Sequence, residues 1–129
     1  MKFEAEGKPE IQKPTESQVK KAIGSLRSYG PSSYASLTNE DGSYVQVAGG
    51  GVTCMIEWYE AINKKRFRAS HDNPNPTRPD GTVLSFGAGN IPMRSDEWFM
   101  ATQVTDVFIA FLNGGAFPKY IAWRDAPGF

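Results

Sequence analysis

The segment spanning residues 91–125 constrains the fold of this chain more than any other, because it reads as one structural unit. Ser95, followed by two acidic residues, is a favourable helix N-cap. Apolar residues then recur at the spacing of a single helix face: Met100 or Ala101, Val104, Val107, Phe108, Phe111 and Leu112. Gly114 is predicted to end this helix, and Pro118 opens a short apolar strand that ends at Trp123 and returns to a sheet edge. A helix face this wide must be buried against a second layer of structure.

Residues 15–86 predict a further helix and a series of antiparallel strands. Thr15 and Gln18 have the spacing of a capping box at the start of a helix predicted over residues 15–29. Alternating apolar and polar residues then predict strands at 34–38, 44–47, 52–61, 65–70 and, after a proline-rich loop, 82–86. The predicted fold class is therefore α+β: a mostly antiparallel sheet, arranged as a meander, with two helices packed on it in a single domain.

The N-terminal segment, residues 1–13, is polar and alternates in charge, so it is predicted to be a flexible arm or an edge segment. The domain itself is predicted to span residues 14–129, since 129 residues suit one domain. Fourteen basic residues balance fourteen acidic ones, which argues against a dedicated nucleic-acid-binding protein. One cysteine excludes an internal disulfide framework and suits a reducing compartment. No stretch has the apolar length of a signal peptide or a membrane span, so we expect a cytoplasmic protein with no membrane attachment.

The chain carries few of the side chains that enzymes use for catalysis. Its single cysteine, Cys54, lies in the middle of an apolar strand, where a thiol behaves as an inert small hydrophobe. Its single histidine, His71, begins a loop, and nothing in the sequence supplies the electropositive site that a reactive thiolate needs. A zinc site needs three or four convergent ligands, more than one histidine and one cysteine provide. We therefore predict no catalytic residue, no metal and no cofactor.

The glycine-rich sequence Gly87-Ala88-Gly89-Asn90 is the alternative place for a site. Glycine-rich loops before a helix can bind phosphate, because backbone N–H groups there attract anions. This loop lacks the Lys-Ser/Thr of a phosphate-binding loop, and the acidic residues that follow would repel an anion. The structural interpretation is a flexible turn between strand and helix. A small ligand-binding or enzymatic domain with its site at this loop is the alternative function, and a structural or adaptor protein is a third.

The predicted strand at 52–61 has one clearly apolar face and one mixed face, and the mixed face is a candidate contact surface. Cys54, Ile56 and Trp58 share the first face, whereas Glu57 and Tyr59 share the second. The candidate partner-binding residues are Glu57, Tyr59 and Glu60 on this strand, Arg66 and Arg68 on the next, and Asp72 in the following loop. Charges of both signs beside a large aromatic residue suit a specific interface. The competing interpretation is an ordinary exposed face with cross-strand ion pairs.

The pattern over residues 44–125 resembles a known family. An aromatic-rich strand, CMIEWYE at 54–60, is followed by a second strand and a loop rich in Gly, Asn and Pro. A helix containing Ser95, Phe108 and Phe111 comes next, and the segment ends with GGxFPxxIxW at 114–123. In these features the chain resembles the immunity proteins of bacterial polymorphic toxin systems, in particular the group that includes immunity partners of deaminase-type toxins.

The resemblance implies an α+β fold and a non-enzymatic function. An immunity protein binds its cognate toxin domain in the producing cell or its kin and neutralises that toxin by occluding the active site, which protects the cell in interbacterial competition. The implied partner is a toxin domain, such as a deaminase or another nucleic-acid-directed toxin, with no direct contact to nucleic acid. The formal net charge of zero departs from the family, since inhibitors of nucleic-acid-directed toxins are often acidic.

Overall fold

The computed structural model describes residues 1–126, which form nine strands and two helices. In chain order they are β1 (Lys2–Ala5), β2 (Ile11–Gln12), α1 (Glu16–Gly24), β3 (Tyr34–Thr38), β4 (Tyr44–Gly50), β5 (Thr53–Glu60), β6 (Lys65–Ser70), β7 (Thr82–Phe86), β8 (Gly89–Met93), α2 (Ala101–Leu112) and β9 (Ala122–Asp125). Seven strands form one antiparallel sheet in the order β2-β1-β3-β4-β5-β6-β9, and β7 and β8 form a separate hairpin. The predicted α+β fold in a single domain is confirmed.

The main core lies between the sheet and the two helices, which pack against each other and on one sheet face. Alternate residues of each strand point to this side, as the period of two requires. The fully buried members from the strands are Phe3, Ala35, Leu37, Val45, Val47, Cys54, Ile56 and Ala69. The helices contribute Val19 and Ile23 from α1 and Val104, Val107 and Phe108 from α2. Burying both apolar helix faces supplies the second layer that the sequence required.

A second core lies on the opposite sheet face, which we call the outer face. The β7–β8 hairpin covers one end of this face with Leu84, Phe86, Ile91 and Met93, and Trp98 joins them. Beneath them lie Ala48 of β4 and Met55 of β5, whose register brings them side by side. The mixed face of the 52–61 strand is therefore partly covered. The end of the outer face beyond the hairpin, where Tyr44, Tyr59 and Arg66 lie, is left uncovered by the hairpin.

The N-terminal segment is built into the sheet and does not form a flexible arm. β1 pairs with β3, and Phe3 is 2% exposed with its ring edge-on to Phe108 at 6.4 Å between centroids. β2 adds two residues at the sheet edge, which matches the alternative prediction of an edge segment. The sequence missed β1 because Phe3 is its only large apolar residue. Tertiary burial of that single ring holds the strand in place.

The last helix begins at Ala101, so the prediction of Ser95 as its N-cap was wrong. The Ser95 N–H instead donates to Asp80 at 2.8 Å. The chain then runs extended, and Phe99 and Cys54 exchange two backbone hydrogen bonds of 2.9 and 3.0 Å beside β5. Burial of Phe99 and this bridge outweigh the local capping signal. At α1 the predicted capping box is present, with Thr15 and Gln18 bonded to each other's backbone N–H. Within residues 1–126, neither helix has the length and apolar character to cross a membrane.

Candidate partner-binding face

Two tyrosines and an arginine stand in one row across the open part of the outer face. Cross-strand register places Tyr44 of β4 beside Tyr59 of β5, and Tyr59 beside Arg66 of β6. The tyrosine rings stack with their centroids 5.1 Å apart. The Arg66 guanidinium carbon lies 5.2 Å from the Tyr59 centroid, and its Nε donates to the Tyr44 hydroxyl at 3.3 Å. We call Tyr44, Tyr59 and Arg66 the tyrosine–arginine row.

The charge of Arg66 is not neutralised within the described chain. No carboxylate in residues 1–126 forms an ion pair with this exposed side chain. The hydrogen bond to the Tyr44 hydroxyl raises the pKa of Arg66 above its usual value, so the guanidinium is always charged. The cation–π contact with Tyr59 and the hydrogen bond to Tyr44 restrict the position of the guanidinium. The row is therefore a rigid, exposed cation framed by aromatic rings.

A second row, two residues along each strand, is an internal ion-pair network. We call Gln46, Glu57, Arg68 and Arg124 the ion-pair row, since register aligns them across β4, β5, β6 and β9. Glu57 is 1% exposed and Arg68 7% exposed. Nε and Nη2 of Arg68 donate to Glu57 Oε2 at 3.2 and 2.8 Å, and Gln46 Nε2 donates to Glu57 Oε1 at 3.1 Å. The candidate residues Glu57 and Arg68 thus face each other and are buried, so neither is an exposed partner contact.

Residues from the segment before α2 complete this network. Arg68 Nη1 lies 3.6 Å from Glu97 Oε1, and Arg124 Nη1 lies 3.4 Å from Glu97 Oε2. Arg124 also binds Asp96 through Nη2 at 2.8 Å, a hydrogen bond that raises the pKa of Arg124. The acidic pair after Ser95, predicted to favour a helix N-terminus, thus binds arginines on the outer face. The network fixes the 95–99 segment to β6 and β9.

The other two candidate residues lie away from the tyrosine–arginine row. Glu60 is two residues from Trp58 on β5, so both side chains lie on the helix side of the strand. There Asn63 Nδ2 donates to the Glu60 carboxylate. Asp72 is exposed, but it follows the C-terminal end of β6, whereas Arg66 is near the start of that strand. From Arg66 to the last residue of β6 the strand runs about 13 Å. Of the six predicted residues, the structure brings Tyr59 and Arg66 together on the open surface.

The structure adds a cleft that sequence analysis did not find. It has a volume of about 480 Å³ and lies between the strands β3–β4 and the turn of the β7–β8 hairpin. Its polar lining is uncharged and comes from Tyr34, Ser36, Gln46 and Asn90. We call it the hairpin cleft. Alternation in the predicted 44–47 strand could have placed Tyr44 and Gln46 on one face, but the sequence gave no sign that a hairpin would fold over that face.

The glycine-rich sequence 87–90 forms the turn of this hairpin and the first residues of β8, so the prediction of a turn between strand and helix was wrong. The Gly87 N–H donates to Ser33 Oγ at 2.7 Å, and the Glu6 carboxylate accepts from the N–H and hydroxyl of Ser33 at 2.8 and 2.7 Å. A Cβ on residue 87 would lie 2.1 Å from Glu6 Oε2, so any larger residue there would displace the Glu6 carboxylate. A carboxylate at this position repels anions, which disfavours a phosphate site.

No family model matches the chain, and neither curated proteins nor solved structures gave a match. The functional argument therefore rests on the residues and on the geometry of the outer face.

Cys54 and His71 both have structural roles. Burial raises the pKa of the Cys54 thiol to about 12, so the thiolate is not formed near neutral pH. His71 Nδ1 accepts from the Asn73 N–H at 3.2 Å, and Nε2 lies 2.7 Å from the Trp98 carbonyl oxygen. These contacts use both ring nitrogens and fix the tautomer that is protonated at Nε2. Within residues 1–126, no three His, Cys, Asp or Glu side chains are grouped as metal ligands.

Proposed function

We propose that this protein is a non-enzymatic immunity protein that binds a cognate bacterial toxin domain and occludes its active site. The observation that carries the proposal is the tyrosine–arginine row, a rigid aromatic and cationic surface at the open end of the outer face. Tyrosine and arginine are enriched among the residues that dominate the free energy of protein–protein binding. The family resemblance of residues 44–125 supplies the class of partner.

The rigidity of this surface supports a binding role. Tyr44, Tyr59 and Arg66 lie on three adjacent strands of the sheet, and each touches the next. Because their positions are set before a partner arrives, little side-chain entropy is lost on binding. The ion-pair row beside them holds the strands in register. A partner would meet a preformed site.

The way polar side chains are used within the fold supports an inhibitor more than an enzyme. The buried carboxylates Glu57 and Glu97 are each paired with arginine side chains of the sheet, so their oxygens are already engaged within the fold. The thiol of Cys54 is held neutral by burial, and both nitrogens of His71 are bonded to the backbone. The observed roles of these groups are structural.

The hairpin cleft favours a second candidate, a small-ligand-binding domain. Its volume of about 480 Å³ falls in the range of ligand sites, and Ser36, Gln46 and Asn90 offer uncharged hydrogen-bonding groups. The cleft lies beside the glycine-rich turn, where the alternative site was predicted. A ligand that suits it would be uncharged, with apolar atoms against Phe86 and Ile91 and hydrogen-bonding groups toward Ser36, Gln46 and Asn90. The cleft is also adjacent to the tyrosine–arginine row, so a protein partner can use both.

The test starts from genomic context: a neighbouring gene that encodes a toxin domain supplies the candidate partner, and binding and protection are then measured with that domain. Cells that express the toxin domain should survive when they also express this protein, and calorimetry should give a tight one-to-one complex. Tyr59→Ala combined with Arg66→Glu should abolish protection without loss of folding. Arg27→Glu is the matched control, because Arg27 is exposed and follows α1, on the helix side of the sheet. A folded wild-type protein that neither binds nor protects would disprove the proposed function.

A further inference from the structure

The Arg66 guanidinium has an unused hydrogen-bonding edge. Its Nε donates to Tyr44, its Cζ lies over the Tyr59 ring, and no acceptor within residues 1–126 is bonded to Nη1 or Nη2. A guanidinium held in this way presents a planar pair of donors that matches the two oxygens of a carboxylate. The row is thus prepared for an anionic group that comes from outside the chain.

The surroundings favour a single carboxylate over a polyanion. Along β6, Arg66 alternates with Arg68, and the charge of Arg68 is already neutralised by Glu57 and Glu97. A phosphate backbone is bound by several unpaired cations along its length, and the chain has a formal net charge of zero. Lys65 precedes Arg66 and is paired across the sheet with Glu60, so it lies on the helix side, and Lys64 is in the turn before β6. On the outer face of β6, Arg66 is therefore the unpaired cation within residues 1–126, and beside two aromatic rings it fits one acidic side chain.

The hairpin cleft extends this site along the strands. Gln46 lies two residues from Tyr44 on the same face of β4, about 7 Å along the strand. Ser36 is directly opposite Gln46 on β3, and Asn90 faces them from the hairpin. Hydroxyl and amide groups both donate and accept hydrogen bonds, as the N–H and C=O groups of an extended peptide require. The cleft therefore suits backbone, whereas the row suits a charged side chain.

We propose that the partner presents an extended segment whose Asp or Glu carboxylate binds Nη1 and Nη2 of Arg66 while the adjacent residues enter the hairpin cleft. This inference rests on the proposed function for its partner, the toxin domain, and adds the chemistry of the contact. The acidic segment inserts between the tyrosine–arginine row and the hairpin turn. Recognition combines one charge-assisted pair with uncharged hydrogen bonds to backbone.

Calorimetry with the toxin domain tests the charge-assisted pair. Arg66→Lys keeps the charge but loses the fork and the stacking, and should weaken binding by about tenfold or more. Arg66→Ala should weaken it further, whereas Arg27→Ala should stay within about twofold. If wild-type protein binds the toxin domain and both Arg66 variants bind within twofold, the inference is wrong and the proposed function stands.

A second pair of variants tests the cleft. Asn90→Trp places a large ring at the cleft mouth and should weaken toxin binding by about tenfold or more. Val83→Trp is the matched control, because Val83 is on the same hairpin, is exposed and does not line the cleft. Equal affinity of the two variants would overturn the insertion of a segment at the hairpin turn. Circular dichroism and thermal melts confirm that each variant is folded.

An NMR titration tests the carboxylate site without the toxin. N-acetyl-Gly-Asp-Gly-amide should shift the Arg66 Nε–H signal and the backbone signals of Tyr59 in a saturable way, and the matched Asn peptide should not. The shifts should vanish in Arg66→Ala and persist in Arg27→Ala. Equal responses to the Asp and Asn peptides would overturn the carboxylate site. If the wild-type protein fails to bind the toxin domain, the proposed function fails and this titration alone decides whether Arg66 binds a carboxylate.

Discussion

Arg68 donates from both Nε and Nη2 to one carboxylate oxygen of Glu57, at 3.2 and 2.8 Å, directly across the β5–β6 pair. Both side chains are almost completely buried. Two residues earlier on the same strand and face, Arg66 is exposed and has no ion pair within residues 1–126. Two arginines in equivalent strand positions therefore have opposite roles: one stabilises the sheet and the other is available to a partner.

This contrast predicts opposite results for the same substitution. Arg68→Ala leaves the Glu57 carboxylate buried without its partner and should lower the free energy of unfolding by about 3–5 kcal/mol. Arg66→Ala should change it by less than about 1 kcal/mol, since exposed charges contribute little. Urea denaturation of the two variants at pH 7 measures both values. Similar losses in the two variants would show that the ion-pair row is not buried as described.

The pKa of Cys54 predicts how stability depends on pH at the alkaline end. Burial raises this pKa from 9.0 to about 12 in the folded state. Between these values the unfolded chain loses the thiol proton while the folded chain keeps it, so the free energy of unfolding falls as pH rises, by up to about 1.4 kcal/mol per pH unit. Below pH 9 the thiol is protonated in both states, so its full contribution to the free energy of unfolding is retained. Other groups also titrate in this range, so the measured quantity is the difference from Cys54→Ala.

That difference should be constant from pH 7 to 9 and then decrease as pH rises. Parallel stability curves for the two proteins would contradict a buried, neutral thiol. A thiol reagent at pH 8 gives an independent check. Cys54 should react only after unfolding, whereas a cysteine placed at the exposed position Val52 in the Cys54→Ala protein should react at once.

Gly50 predicts a severe effect of adding one methyl group. A Cβ at this position would lie 2.3 Å from the backbone carbonyl carbon and oxygen of Leu26, which follows α1. Backbone cannot move aside as a flexible side chain can, so Gly50→Ala should cost about 3 kcal/mol or more. Gly115→Ala is the control, because its nearest atom would be 3.9 Å away. Thermal melting compares the stabilities of the Gly50→Ala and Gly115→Ala proteins. Equal melting temperatures would contradict the close approach of Leu26 to Gly50.

Trp123 predicts an intermediate loss of stability. Its ring is half-buried against Trp58 and Phe117, with centroids 5.5 and 5.0 Å away. Trp123→Ala should cost about 2–3 kcal/mol, less than the ~3–5 kcal/mol expected for Phe108→Ala, because Phe108 is fully buried. Chemical denaturation gives both values. A Trp123→Ala protein that melts within a degree or two of wild type would show that this ring is a surface residue.

Residue spacing by itself determined the elements whose signals are local. The capping box of Thr15 and Gln18 placed the start of α1, and strict alternation placed β3, β6 and β7 at their observed bounds. The apolar stripe of α2 likewise identified a buried helix. Alternation in the 52–61 strand also predicted that Cys54 and Ile56 lie on the buried face of β5. These patterns repeat along the chain within a few residues, so they can be detected without knowing what packs against them.

Only the tertiary structure decided which polar residues are available for function. Nothing local distinguishes Arg66 from Arg68, since both alternate with apolar residues on one strand. Their roles diverge because Glu97, distant in sequence, comes to lie beside Arg68, while Tyr44 and Tyr59 frame Arg66. Long-range packing also holds β1 in the sheet and moves the start of α2 from the predicted cap at Ser95 to Ala101. Burial and ion pairing depend on neighbours across the sheet, and the identity of those neighbours exists only once the chain has folded.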